Sequence, residues 1–137
     1  MASITTAVAQ DFLDTINAAA GGTAILRVYG NTTAPADADA APTGTTLVDL
    51  PMSATAFAAA TGSAGGPASI VANTITASNA TASHDPVYCR VIAGGGSGAV
   101  IAQLTAGVGS GEVNFGSTIV SGASVSVTSL TINMPNE

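Results

Sequence analysis

The stretch Ala24-Ile25-Leu26-Arg27-Val28-Tyr29-Gly30 decides the fold of this chain. It is a short apolar run with one arginine at its centre, and its β-branched and aromatic residues predict a core β-strand. The residues before it have the spacing of one helix. The residues after it form short apolar runs separated by Gly, Ala, Ser and Thr. The sequence therefore predicts an all-β domain with one N-terminal α-helix.

Apolar residues in positions 4–19 recur at intervals of three and four, which places them on one helical face. They are Ile4, Val8, Phe12, Leu13 and Ile16. Thr5 or Thr6 is placed to cap the helix, and Gly21-Gly22 ends it because glycine readily adopts a positive φ. We expect residues 1–22 to form a helical arm that lies against the sheet or against a neighbouring subunit.

Further strands are predicted where apolar and β-branched residues cluster between turn residues. They are Thr46–Met52, Ser69–Ala77, Pro86–Ala93, Ala99–Ala106, Glu112–Phe115 and Ala123–Met134. The apolar phase of the last strand shifts near Thr128-Ser129, which predicts a β-bulge, and Ser53–Ala60 fits either a helical turn or a strand. This spacing is typical of a β-sandwich, of which the jelly roll is one form. A chain of 137 residues fits a single domain, residues 1–137.

The segment Asn31–Thr45 reads as a long loop because it is rich in Pro, Asp and Ala. Long loops in compact domains are often functional. We therefore expect a docking loop with Pro35, Asp37, Asp39 and Pro42 as its contact residues. The alternating aspartates match half of a calcium-binding loop, but the glycine and the bidentate glutamate of that pattern are missing, so no calcium site is predicted.

Only two residues are basic, Arg27 and Arg90, and each lies inside a predicted strand. Burying a guanidinium group requires a partner. Asp49, Asp85 and Glu112 are the candidates for structural ion pairs, and the alternative is a residue on another subunit.

The formal net charge of −6 leaves no basic cluster, so we expect no binding to nucleic acid or to an anionic membrane surface. Charged residues are only 7% of the chain, against about 25% in ordinary soluble domains. A surface so poor in charge suggests extensive contact with other subunits. Because there is no secretory signal pattern and no apolar run of the roughly 20 residues that span a bilayer, we expect synthesis in a cytoplasm.

No residue pattern points to catalysis, so we expect a protein that is not an enzyme and has no cofactor and no metal. His84 precedes Asp85-Pro86 and is best explained as part of an exposed turn. Cys89 lies among apolar neighbours, which favours a buried, inert thiol. The glycine-rich stretch 94–98 lacks the Lys-Ser/Thr of a phosphate-binding loop.

Six stretches of the chain share a pattern: the helix ending in Gly21-Gly22, Ile25–Gly30, Pro35 with Asp39–Thr45, Leu47–Leu50, Asn73–Thr76 and Ser124–Met134. In these stretches, which cover much of its length, the chain resembles the small structural proteins of tailed bacteriophages.

The resemblance implies a virion component, most simply a capsid decoration or cement protein with a β-sandwich fold. Its partners would be the major capsid protein and neighbouring copies of itself, on the outside of the capsid, after synthesis in the host cytoplasm. The alternatives are a tail or neck component and, with weaker support, a carbohydrate-binding β-sandwich module.

Overall fold

The computed structural model describes residues 3–127 and 129–135 and shows, within them, a mostly β domain with one N-terminal α-helix. Short 3-10 turns follow the helix at Gly21–Thr23 and lie at Gly94–Gly96. The helix and strands are α1 (Thr6–Ala20), β1 (Ile25–Gly30), β2 (Thr45–Pro51), β3 (Ala68–Val71), β4 (Ser78–Asn79), β5 (Pro86–Ile92), β6 (Val100–Val108), β7 (Val113–Phe115), β8 (Ser124–Val125) and β9 (Thr131–Met134).

A curled five-stranded sheet forms the centre of the domain, with the strand order β2-β1-β5-β6-β7. The predicted core strand β1 pairs antiparallel with β2 on one side and with β5 on the other. β7 pairs parallel with β6 after a short loop in which Gly109 and Gly111 have positive φ values of 71° and 89°. Two smaller sheets join β3 to β9 and β4 to β8.

The two faces of the large sheet differ because successive strand residues point to opposite sides. On one face Leu26 lies between Leu50 and Val91 in the register, and all three are buried. They belong to a core that also contains residues of α1 and β3. The other face carries Arg27 and Tyr29, so it is polar and aromatic.

The sheet curls where its register slips. The pairing register skips one residue in each of three strands: Leu47 in β2, Val87 in β5 and Ile101 in β6. An extra residue in one strand of an antiparallel pair bends that strand and increases its twist.

The predicted strand Ala123–Met134 is instead divided between two sheets. β8 pairs with β4, whereas β9 pairs with β3. The β-bulge was predicted near Thr128-Ser129. Thr128 lies outside the described residues, and Ser129 lies between β8 and β9. The shift of apolar phase thus coincides with a change of sheet.

The helix begins as predicted, because the Thr5 side chain accepts a hydrogen bond from the Val8 N–H at 3.3 Å. It ends at Gly21, whose φ is 67°. Its inner face differs from the expected one: Ala9, Leu13 and Ala20 are buried, whereas Val8 and Phe12 are exposed. The helix packs against β3, β6 and β9 of the same chain. It is too short and insufficiently apolar to cross a membrane, and it is the only α-helix in the described part of the chain.

Candidate functional site

Four polar residues lie side by side across strands β2, β1, β5 and β6 on one face of the sheet. In the register Arg27 stands opposite Asp49 and opposite Arg90, and Arg90 stands opposite Gln103. Residues that oppose each other in an antiparallel pair share a face and interact directly. We call Asp49, Arg27, Arg90 and Gln103 the polar row, and it carries both guanidinium groups on the same side of the sheet.

Arg27 forms the ion pair with Asp49 that the sequence allowed. Its Nε and Nη2 atoms each donate to a different carboxylate oxygen at 2.7 Å. This bidentate hydrogen bonding to the Asp49 carboxylate raises the pKa of Arg27 above its ordinary value. Because 26% and 41% of the two side chains are exposed, we expect the pair to contribute less than about 1 kcal/mol to stability.

Arg90 is 1% exposed, and its partners are neutral groups rather than the expected carboxylate. Its Nε donates to the Gln103 side-chain oxygen at 2.9 Å, and its Nη2 donates to the carbonyls of Ala40 at 2.9 Å and Asp37 at 3.4 Å. The guanidinium carbon also lies 5.7 Å from the centre of the Tyr88 ring. The buried charge is thus stabilised by dipoles and an aromatic face.

The other two candidate partners bond neutral donors elsewhere. The Thr118 hydroxyl donates to Asp85, and Glu112 Oε2 accepts from the Thr105 N–H at 2.9 Å and from its hydroxyl. The chain has eight acidic residues and two arginines, so most carboxylates must find a neutral donor or water.

The long loop lies over Arg90 and Gln103, at one end of the polar row; we call residues 31–44 the strap. The Asp37 and Ala40 carbonyls of the strap accept from Arg90, and the Pro35 carbonyl accepts from Gln103 Nε2 at 2.9 Å. The Tyr88 hydroxyl accepts from the Thr43 N–H at 3.0 Å and donates to the Thr43 carbonyl at 2.9 Å. The sheet therefore holds the strap by its main chain, which leaves strap side chains free to face outward.

Both ends of the strap depend on positive φ values, 57° at Asn31 and 80° at Gly44. A Cβ at Gly44 would lie 2.4 Å from the Gly30 carbonyl oxygen, so only glycine fits there. Of the residues expected to dock, Asp37, Asp39 and Pro42 are exposed and Pro35 is partly buried. These residues lie on a strap whose main chain is hydrogen-bonded to the sheet.

Two stacked tyrosines beside the polar row were not identified from the sequence. The rings of Tyr29 and Tyr88 are parallel within 6° with centroids 4.6 Å apart, and both are almost fully buried. Burial raises the pKa of Tyr29. A signal was present: Arg27-Val-Tyr29 and Tyr88-Cys-Arg90 are reversed copies of one pattern, and antiparallel pairing of such copies aligns Arg with Arg and Tyr with Tyr.

Apolar side chains are exposed on α1 as well. Val8 is 41% exposed and Phe12, one turn further on, is 53% exposed. Residues four positions apart are neighbours on a helix surface. We call this pair the helix stripe; Ile4 and Ile16, partly buried against the core, continue it in both directions.

Two open pockets, of about 340 and 290 Å³, lie at the ends of the small sheets. Their walls consist of small, hydroxyl and aliphatic residues with Phe115 and Asn73, and no titratable side chain lines either pocket. His84 is exposed, and its main chain pairs with Ile119. Within residues 3–127 and 129–135, no group of three or more His, Cys, Asp or Glu side chains has the arrangement of a metal site.

Cys89 predicts a loss of stability at alkaline pH. Burial raises the pKa of its thiol above the ordinary value of 9.0. Above pH 9.0 the unfolded chain therefore loses a proton that the folded chain keeps, and stability falls by up to about 1.4 kcal/mol per pH unit. Denaturant unfolding between pH 9.0 and 10.0, below the ordinary pKa of tyrosine, should show this slope in wild type and a flatter one in Cys89→Ala. Identical slopes would contradict the assignment to Cys89.

The chain was compared with protein-family models, with curated proteins and with solved structures. None of the three comparisons gives a match. The function is therefore inferred from the residues and surfaces themselves.

Proposed function

We propose that the protein is a non-enzymatic structural component of a bacteriophage virion, a decoration or cement protein that binds the major capsid protein shell. The observation that carries the proposal is the helix stripe. Ala9 and Leu13 on the inner face of α1 are buried in the core, whereas Val8 and Phe12 on its outer face are exposed and have no part in that packing. Adjacent exposed apolar side chains mark surfaces for protein contact. The sequence resemblance to phage structural proteins supplies the identity of the partner.

The charge distribution supports a position on the outside of the capsid. Both guanidinium groups are paired within the domain, Arg27 with Asp49 and Arg90 with Gln103 and the strap. The exposed charged residues of the described chain are all acidic: Asp11, Asp14, Asp37, Asp39, Asp85 and Glu112. Such a surface repels phosphate groups. It suits a protein made in the host cytoplasm and added to the virion exterior beside neighbouring copies.

We also propose that the domain is a β-sandwich of jelly-roll-like form. The five-stranded sheet would be one layer, and the β3–β9 pair with α1 would be the other. Ile70 of β3 supports this arrangement because it shares one buried cluster with Leu26 and Leu50 of the large sheet.

The alternatives differ in what they require of the surface. A tail or neck component would use the same apolar contacts, and only its location in the virion separates it from a decoration protein. A carbohydrate-binding module commonly stacks sugars on exposed aromatic rings. Here Tyr29, Tyr88, Phe57 and Phe115 are at most 4% exposed, which leaves Phe12 alone for such stacking.

The test is titration of the purified protein onto undecorated capsids, followed by imaging. We expect wild type to occupy regular positions, and Phe12→Asp to weaken binding about 30-fold, which corresponds to roughly 2 kcal/mol for a central apolar contact. The matched control is Val120→Asp, which places the same charge at a valine that is 54% exposed in a loop and should bind as wild type does.

Absence of binding, with the protein found only in tail fractions, would overturn the decoration proposal in favour of a tail component. Equal weakening by both variants would show that the helix stripe is not the contact surface.

A further inference from the structure

The helix stripe has an acidic neighbour on the outer face of α1. Asp11 comes three residues after Val8 and directly before Phe12, and residues three positions apart are neighbours on a helix surface. The Asp11 side chain is exposed. Among the residues that the structure describes, its carboxylate has no hydrogen-bond or ion-pair partner. A surface that covers the helix stripe therefore also comes to lie beside this carboxylate.

The Asp11 carboxylate restricts what can cover the helix stripe. Taking a carboxylate out of water is costly unless a cation or a hydrogen-bond donor replaces the water. At the rim of an interface, a complementary charge also speeds association and disfavours wrong partners. The surface that suits the helix stripe best thus has an apolar hollow with a basic side chain beside it.

A second copy of this chain is a poor match for the helix stripe, because it has no free basic side chain to offer. The chain contains two basic residues, Arg27 and Arg90. Arg27 is paired with Asp49, and Arg90 is buried. A second copy would therefore bring a further Asp11 and no cation. Nucleic acid and anionic membranes are repelled by the same acidic surface.

We propose that the helix stripe binds an apolar groove of the major capsid protein that has a Lys or Arg at its rim, with Phe12 in the groove and Asp11 paired with the basic residue. This pairing rests on the decoration function proposed above and names the chemistry of the partner surface. An apolar anchor beside a polar rim is the usual composition of a protein interface. Asp11 then contributes specificity, since it favours a basic groove and disfavours a second copy.

The strap carries its acidic residues on the opposite side of the domain. The helix α1 packs into the core on one face of the large sheet, whereas the strap is hydrogen-bonded to Arg90 and Gln103 on the other face. Asp39 of the strap is exposed and, like Asp11, its carboxylate has no partner within the described part of the chain. When α1 faces the shell, Asp39 faces away from it. Asp39 is therefore the matched control for Asp11.

The test is the affinity of the purified protein for undecorated capsids at about 0.05 M and about 0.5 M salt. At low salt we expect Asp11→Asn to weaken binding about threefold, as for an ion pair at the rim of an interface. At high salt, screening should bring the affinities of wild type and Asp11→Asn together. Asp39→Asn removes the same charge from the opposite face and should bind as wild type does at both salt concentrations.

Charge reversal gives a larger effect at the same position. Asp11→Lys should weaken binding about tenfold at low salt, because it places like charges side by side at the rim. Asp39→Lys is its control and should not weaken binding. Far-ultraviolet circular dichroism checks that all four variants are folded.

The basic groove and the decoration function fail in different ways. Low-salt binding that Asp11→Asn and Asp11→Lys leave unchanged, or that the Asp39 variants weaken as much, would overturn the basic groove and leave the decoration function in place. Absence of wild-type binding at both salt concentrations would overturn the decoration function, and the basic groove with it.

Discussion

Replacing Arg90 by methionine should lower the free energy of unfolding by about 3 kcal/mol. The change leaves the Gln103 side-chain oxygen and the carbonyls of Asp37 and Ala40 without their donor beneath the strap. Each buried acceptor that loses its partner costs about 1–3 kcal/mol, although relaxation of the strap recovers part of this. Methionine keeps most of the side-chain volume, so the loss reports the hydrogen bonds rather than a cavity.

The matched variant is Arg27→Met, on the neighbouring strand of the same sheet. Its partner Asp49 is 41% exposed and regains water when the pair is lost, so the expected cost is below about 1 kcal/mol. Denaturant unfolding measures both values. Limited proteolysis should cut the strap faster in Arg90→Met only. Equal losses of stability in the two variants would mean that Arg90 does not hold the strap.

Phe57→Ala should lower the free energy of unfolding by about 3–5 kcal/mol. Phe57 is fully buried. Its N–H donates to the Asn17 side-chain oxygen of α1 at 3.0 Å, and it forms a bridge with Ala72. The residue thus links the helix to Ala72, directly after β3, and truncation leaves a cavity where these elements meet.

Phe12→Ala is the control for Phe57→Ala, because it removes the same ring from a position that is 53% exposed. Surface substitutions of this kind usually change stability by no more than about 0.5 kcal/mol. Thermal and denaturant unfolding of the two variants should therefore differ strongly. A large loss in Phe12→Ala would mean that the ring stabilises the fold, and would remove the argument that it is free for a partner.

Local patterns determined where the long elements lie. Thr5 caps the helix and Gly21 ends it, as their residue types predict. The distribution of apolar and turn residues predicted strands close to the observed bounds of β1, β2, β5, β6 and β7. These signals are local because caps, turns and period-two burial depend on residues only a few positions apart.

Local patterns did not determine the structure of the segment after Met52. Ser53–Ala60 is irregular and is anchored by single bridges and by hydrogen bonds to α1, such as that of Ala60 N–H to Asp14 at 2.8 Å. Neither a helix nor a strand period describes such a segment. Its position is set by partners about 40 residues away in the chain.

By itself, the sequence determined the β-rich class, the N-terminal helix and the central position of Ala24–Gly30, and it marked Arg27 and Arg90 as strand residues that need a partner. Only the tertiary structure decided that residues 31–44 form a strap held by its main-chain groups, that Arg90 is buried without a carboxylate partner, and that Val8 and Phe12 face outward. The physical reason is that a hydrophobic pattern shows which side chains avoid water, but not which surface covers them. Apart from the bond between Arg90 and Gln103, the Arg90, Gln103 and Tyr88 side chains bond main-chain groups of the strap, which every residue carries and no pattern marks.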